Sequence, residues 1–240
     1  METNQFYIIA LSICTLSLGI LLVTTLNSTR KKALNISFSI FVVCLMICCI
    51  GQLFSLVFAD KWDIEPVYYD YFVYIGTCFL PVAFLFFSMI FAKSNFKFKK
   101  KYLLFFIIPI LTLLIIWTND FHHLFYVVYS TSTAYTTFGP YFYVHSIYSF
   151  ALFFVAIYYL LKYCIRNAGF FSKQSLLIIV GVSVPIVINL LGVLGMPMTI
   201  YITPIAFTIT AIFSGLAIIK FKFLKVTAIA LQKIVDRISD

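Results

Sequence analysis

The chain has 240 residues, of which 63% are hydrophobic and only 10% are charged. This composition leaves too little polar surface for a soluble globular protein and is typical of an integral membrane protein. The formal net charge of +9 does not indicate a nucleic-acid partner, because the basic residues flank apolar stretches, where anionic lipid headgroups attract them.

Seven apolar stretches follow one another along the chain, and most approach or exceed the roughly 20 residues that a helix needs to cross a bilayer. They cover residues 6–26, 33–58, 67–91, 102–117, 143–161, 175–194 and 202–219. The first carries Glu2 instead of a basic leader, so we interpret it as a retained helix and not as a signal peptide. The sequence predicts an all-α membrane protein, a bundle of seven transmembrane helices.

The basic residues mark one side of these seven spans. Only Lys61 lies on the opposite side of the spans. The other sixteen basic residues lie in alternate connections or in the tail: Arg30, Lys31, Lys32, Lys93, Lys97, Lys99, Lys100, Lys101, Lys162, Arg166, Lys173, Lys220, Lys222, Lys225, Lys233 and Arg237. Cytoplasmic segments of membrane proteins are enriched in Lys and Arg. The N-terminus is therefore predicted to lie outside and the C-terminus in the cytoplasm, which agrees with an odd number of spans.

The longest predicted outer connection, residues 118–142, is rich in aromatic and hydroxyl side chains. Loops of this length are often functional. We expect its threonine-rich centre to form a hairpin and the whole loop to fold over the mouth of the bundle.

The chain is predicted to have two parts, a transmembrane domain over residues 1–225 and a cytoplasmic amphipathic helix over residues 226–240. In the second part Leu231, Ile234 and Ile238 recur at the spacing of a coiled-coil seam. A homodimer formed through this helix is the expected assembly.

Polar side chains inside a bundle need partners within the protein and are therefore candidates for function. Eight candidates for ligand binding lie in the outer halves of the spans or in the long loop: Gln52, Asp70, Tyr74, Asn119, His122, His145, Tyr148 and Asn189. Five of them are predicted to converge on one outward-opening cavity: Gln52, Asp70, Tyr74, His145 and Asn189. The alternative for Asp70 is an acid hydrated at the headgroups, and for His145 a histidine that only packs.

Catalytic and metal-binding patterns are weak in this sequence. His122 and His123 follow Asp120, but adjacent histidines point apart on a helix, and neither an HExxH motif nor a glycine-rich phosphate loop is present. No cofactor, no metal and no catalytic residue are predicted. The six cysteines are interpreted as packing residues, because none falls in an outer loop where a disulfide would be expected.

Several short motifs occur in a characteristic order. These are Thr118-Asn119-x-x-His122 after the fourth span, Gly139-Pro140 before the fifth, Thr203-Pro204-Ile205-Ala206-Phe207 at the seventh, and Phe223-Leu224 beyond it. With a polar sixth helix and an exit helix, they make residues 6–225 resemble the N-terminal seven-helix sensor region of bacterial histidine kinases. The resemblance implies a multi-pass protein of the bacterial plasma membrane that senses a signal upstream of a kinase, a diguanylate cyclase or a PAS domain.

Kinase activity itself is not expected in these residues, since they contain no cytoplasmic histidine to phosphorylate and no ATP-binding segment. Two interpretations remain open: a sensor fragment, or a stand-alone protein that acts through partners.

The leading functional hypothesis is a receptor. It binds a small-molecule or lipid-like ligand in the outer cavity, and its seventh helix passes the change inward, with Pro185 and Pro204 as candidate hinges. The alternative is a small transporter or channel, although no internal repeat is evident between the first and last three spans. A membrane-embedded enzyme and a structural protein are the remaining hypotheses.

Overall fold

The computed structural model describes residues 2–27, 32–92, 96–166 and 170–221. The predicted cytoplasmic helix 226–240, with its seam residues Leu231, Ile234 and Ile238, and the boundary at residue 225 lie outside the described residues.

Helices dominate the described part of the chain. Their bounds are α1 Glu2–Leu26, α2 Lys32–Trp62, α3 Pro66–Ala92, a 3₁₀ helix Lys100–Phe106 that continues into α4 Ile107–Trp117, a short α5 Asn119–His122, α6 Pro140–Arg166, α7 Phe170–Val193 and α8 Ile202–Phe221. Among the described residues, six helical segments are long and apolar enough to cross a membrane, and the shorter Ile202–Ile218 is a seventh. The predicted all-α bundle of seven spans is thus confirmed.

The helices extend past the apolar stretches at several ends. Helix α2 continues to Trp62, where the predicted span ends at residue 58, so only residues 63–65 connect it to α3. The Trp62 ring stacks on Phe58 at 4.3 Å between centroids. Hydropathy marks the part of a helix that lies in hydrocarbon, whereas the backbone hydrogen bonds continue into the headgroup layer. Helices α3 and α6 begin at prolines, whose missing N–H group costs nothing in a first turn.

Small residues bring neighbouring helices together, as expected where no hydrophobic effect drives association. A Cβ atom on Gly76 of α3 would lie 2.5 Å from the carbonyl oxygen of Cys44 in α2. A Cβ on Gly181 of α7 would lie 2.9 Å from the Cβ of Phe213 in α8. The pairs α2–α3 and α7–α8 are therefore in backbone-to-backbone contact.

The long loop between α4 and α6 contains a hairpin, as predicted. Strand β1, Tyr126–Val128, pairs antiparallel with β2, Thr137–Phe138. The tip of the hairpin contacts the turn between α7 and α8: the Thr133 backbone N–H donates to the Met198 carbonyl at 2.8 Å, and Ser132 forms a bridge with Thr199. The loop therefore lies across the bundle, as expected.

Candidate functional site

A cavity of about 200 Å³ lies between the helices and beneath the long loop. Helices α2, α3, α6, α7 and α8 line it, together with both hairpin strands. Its lining changes along the bundle. Polar side chains such as Asp70, Tyr126 and Ser130 line the end near the loop, and apolar ones such as Leu80 and Phe207 line the end near the middle of the helices.

Asp70 occupies the polar end of this cavity and is only 5% exposed. The Nε2 of Gln52 donates a hydrogen bond to its Oδ1 at 3.2 Å, and the hydroxyl of Tyr126 donates to its Oδ2 at 2.7 Å. The carboxyl group is therefore enclosed by the protein, in contrast to the alternative of an acid exposed at the membrane surface.

Tyrosine rings surround this carboxyl group. The ring centroid of Tyr126 lies 6.5 Å from that of Tyr74 and 5.2 Å from that of Tyr129, with interplanar angles of 83° and 75°. All three tyrosines line the cavity. Burial, followed by the Asp70 charge, raises the pKa of Tyr126 well above its ordinary value. The Tyr126 phenol therefore stays protonated and acts as a donor to Asp70.

His145 also lines the cavity, but its ring nitrogens face other groups. Its Nδ1 lies 3.3 Å from the Thr112 hydroxyl of α4, and its Nε2 lies 3.5 Å from the Ser149 hydroxyl of its own helix. The ring centroid lies 5.9 Å from that of Tyr74. This geometry is compatible with a packing histidine and with a ring that forms part of the cavity wall, so its role in binding stays a prediction.

The last predicted cavity residue and the two candidate hinges belong to α7 and α8. Asn189 is an exposed residue of α7 that nevertheless lines the cavity. Pro185 lies inside α7, whereas Pro204 lies in the first turn of α8, and both line the cavity. The Pro204 carbonyl accepts hydrogen bonds from the thiols of Cys14 at 3.2 Å and Cys49 at 3.6 Å. The hinge role of both prolines stays a prediction.

Three of the eight predicted ligand-binding residues lie elsewhere. Asn119 is buried inside the loop, where its Oδ1 accepts from the backbone N–H groups of Phe125 and Tyr126 and its Nδ2 donates to the Tyr126 carbonyl. His122 is a half-buried residue whose Nδ1 accepts from the Leu124 N–H. The Tyr148 hydroxyl donates to the Phe105 carbonyl. These three side chains form hydrogen bonds with backbone groups and do not line the cavity.

Sequence reasoning missed Tyr126, Tyr129 and Phe138, which descend from the loop into the cavity. The aromatic composition of the loop signals such a role, but only the hairpin determines which rings face inward.

Asp120 and His122 of the loop have hydrogen-bond partners of their own. The Asp120 carboxylate accepts from the Tyr71 hydroxyl at 3.0 Å, and the His122 Nε2 lies 3.1 Å from the Thr118 hydroxyl. Within the described ranges, no three residues of His, Cys, Asp or Glu form a group that could hold a metal ion. The six cysteines are free thiols.

Comparison with known proteins identifies the fold. A family model described as the N-terminal 7TM region of histidine kinase matches residues 8–227. No curated protein and no solved structure matches the chain. The family region is a non-catalytic, sensory membrane domain. Because the match covers nearly the whole chain and the helices agree with it, this multi-pass membrane protein of signal transduction belongs to the family of N-terminal seven-transmembrane regions of histidine kinases.

Proposed function

We propose that the chain is a sensor module whose cavity binds a small aromatic or amphiphilic ligand from outside the cell or from the membrane, and that α8 relays the resulting change to the cytoplasmic side. The observation that carries this proposal is the shared lining of one cavity. The outer loop contributes Tyr126 and Tyr129 to it, and the last helix contributes Thr203 and Phe207. A ligand in this cavity contacts the outer surface and the exit helix at once.

The size and polarity of the cavity limit the ligand. A volume of about 200 Å³ is comparable to apolar cavities of about 150 Å³ that accept benzene. A molecule with one ring and a short polar group fits this space. The polar group would lie near Asp70 and the ring near the apolar end, which favours an amphiphilic ligand over a sugar or a peptide.

The contacts of α7 and α8 support the relay. The Thr210 hydroxyl donates to the Gly181 carbonyl at 2.8 Å, and Gly181 packs closely against Phe213. The hairpin is tied to the same pair of helices, because the Thr133 hydroxyl donates to the Met196 carbonyl at 2.7 Å. A ligand that moves the hairpin would therefore move α7 and α8 together.

A ligand shifts a conformational equilibrium only by binding the two conformations unequally. Pro185 leaves a gap in the hydrogen-bond ladder of α7 and lines the cavity, so it is our candidate for the point where the two conformations diverge. Pro204, in the first turn of α8, would transmit the change through its carbonyl contacts with Cys14 and Cys49.

The proposal includes the topology and assembly predicted above: the N-terminus outside a bacterial plasma membrane, the C-terminus in the cytoplasm, and a homodimer formed through residues 226–240. The output would be a histidine kinase or a related cytoplasmic domain, in the same chain or in a partner.

Binding and relay can be measured on the full chain in lipid nanodiscs, with phenethyl alcohol as the probe. Cys164, the half-buried cysteine, is replaced by Ser, and an environment-sensitive fluorophore is attached to Leu216→Cys on α8, a position that is 44% exposed. The matched control carries the fluorophore at Leu16→Cys on α1, a helix that contributes no residue to the cavity lining.

We expect saturable binding with a change in emission at position 216 and none at position 16. Binding without any change at position 216 would refute the relay, and the absence of saturable binding by phenethyl alcohol and by its amine and acid analogues would refute the receptor function.

A further inference from the structure

The charge of the cavity restricts the ligand further than its size does. Among the residues that the structure describes, Asp70 is the only acidic side chain that lines the cavity, and no Lys or Arg lines it. An ionised carboxylate in a low-dielectric bundle is costly unless a positive charge compensates it. The site therefore has an unmatched negative charge at its polar end.

The contacts of Asp70 favour its ionised form. Gln52 and Tyr126 both act as donors, one to each carboxylate oxygen. A carboxylate has about four acceptor positions, and these two contacts use two of them. The remaining positions can accept hydrogen bonds from a donor in the cavity.

The rings beside Asp70 have the chemistry that organic cations require. Faces of aromatic rings attract ammonium groups, and clusters of such rings bind organic ammonium ions as aromatic cages. The ring of Tyr126 stands at steep angles to those of Tyr74 and Tyr129, and all three rings line the cavity. A hard metal ion would need several oxygen ligands, and the described residues offer no group of three acidic, histidine or cysteine side chains.

The opposite end of the cavity is apolar and has room for the rest of such a ligand. Along α3, Asp70 and Pro81 both line the cavity, and they are separated by about 16 Å at 1.5 Å per helical residue. Phe41 of α2 and Phe153 of α6, which lie at least two helical turns farther from the loop than Gln52 and His145, also line the cavity. An ammonium group at Asp70 would leave an attached ring in this apolar region.

We infer that the cavity selects small organic amines that carry an aromatic or apolar group, with the ammonium bound by the Asp70 carboxylate and the tyrosine cage. This inference rests on the proposed function, because it names the ligand class of the same cavity. Anionic ligands of the same size are rejected, since their charge would lie beside a carboxylate without a counter-ion.

Three probes of equal size and different charge test the inference: phenethylamine, phenethyl alcohol and phenylacetate. Binding to the full chain in nanodiscs of neutral lipid is measured by titration calorimetry at neutral pH. In the native protein we expect the amine to bind at least about tenfold more tightly than the alcohol, equivalent to about 1.4 kcal/mol. Phenylacetate should bind more weakly than the alcohol.

Variants separate binding of the probe at the site from partitioning of the probe into lipid, because partitioning is the same for every variant. Asp70→Asn keeps the size of the side chain and removes its charge, and should bring the amine and alcohol affinities within about threefold of each other. The control is Asp63→Asn, an exposed acid outside the cavity with a φ of 53°, a conformation that Asn adopts readily. It should keep the native preference. Tyr129→Leu should weaken amine binding more than alcohol binding.

The outcomes distinguish the two proposals. If the alcohol binds and the native protein does not prefer the amine, the amine class is refuted and the receptor function stands. If Asp70→Asn folds and retains the preference, Asp70 is not the cation site and the inference is again refuted. If none of the three probes binds, both proposals are refuted.

Discussion

The hydroxyl of Tyr126, in the hairpin of the long loop, donates a 2.7 Å hydrogen bond to the carboxylate of Asp70, in the third span. The two residues are 56 positions apart in sequence, and their contact joins the loop that covers the bundle to the polar end of the cavity. A change at either residue therefore affects both the closure of the loop and the environment of the candidate ligand site.

Removal of the Tyr126 hydroxyl tests this contact. Tyr126→Phe should destabilise the protein by about 1.5–3 kcal/mol, the usual contribution of a hydrogen bond to a charged group, and should speed proteolysis of the loop. Thermal unfolding in detergent and limited proteolysis measure both effects. Tyr135→Phe, at a ring that is 76% exposed, is the control and should match the native protein. Equal stability of both variants would mean that the loop closes without this contact.

Asn119 should control the shape of the loop and not ligand affinity. Its Oδ1 accepts from two buried backbone N–H groups, and loss of these acceptors in Asn119→Ala should cost at least about 2 kcal/mol. Asn119→Asp keeps the acceptor oxygen and should cost less. His122→Ala, on the same short helix, removes one acceptor of an exposed hydrogen bond and should cost less than Asn119→Ala. A drop in probe affinity without a lower unfolding temperature would instead place Asn119 in the binding site.

The contact between α7 and α8 should tolerate no extra atom at Gly181. An Ala Cβ would meet the Phe213 Cβ at 2.9 Å and the Thr210 Cα at 3.3 Å, so Gly181→Ala should destabilise by about 1–3 kcal/mol through overpacking. Gly215→Ala, in the same helix pair, has no atom within 4 Å of the new Cβ and should be neutral or stabilising because Ala favours helix. Similar unfolding temperatures for the two variants would refute the close packing.

Labelling of cysteines in whole cells tests the predicted topology. With Cys164 replaced by Ser, Tyr135→Cys at the hairpin tip should react with a membrane-impermeant maleimide, because the positive-inside rule puts the loop outside. Lys99→Cys, an exposed position in the basic connection before α4, should react only after the cells are permeabilised. The opposite pattern would reverse the orientation and remove the basis for an extracellular ligand.

Disulfide cross-linking tests the predicted dimer. A lone amphipathic helix of 15 residues is marginal in water, so Leu231 and Ile234 should face a second copy of the same helix. Cysteines at these two positions should cross-link between chains under mild oxidation, whereas cysteines at Gln232 and Lys233 should do so poorly. Equal cross-linking at all four positions would indicate no defined interface.

The sequence by itself determined the seven spans, because each apolar stretch must satisfy its own backbone hydrogen bonds in lipid and can do so only as a helix. Helical spacing also put Asp70, Tyr74 and Thr77 on one face of α3, and all three line the cavity. The hairpin in the long loop was predictable from its composition and length. These features depend on local periodicity and on the solvent, which a single chain reveals.

Only the tertiary structure decided which loop residues reach the cavity. Tyr126 and Tyr129 enter it, whereas Asn119 and His122, from the same loop, hold the backbone. The difference arises from contacts between distant segments, such as the Thr133 N–H with the Met198 carbonyl, 65 positions later. Hydrogen bonds of this kind have no periodicity in sequence, and they form only when the α7–α8 turn and the hairpin are brought to the same end of the bundle.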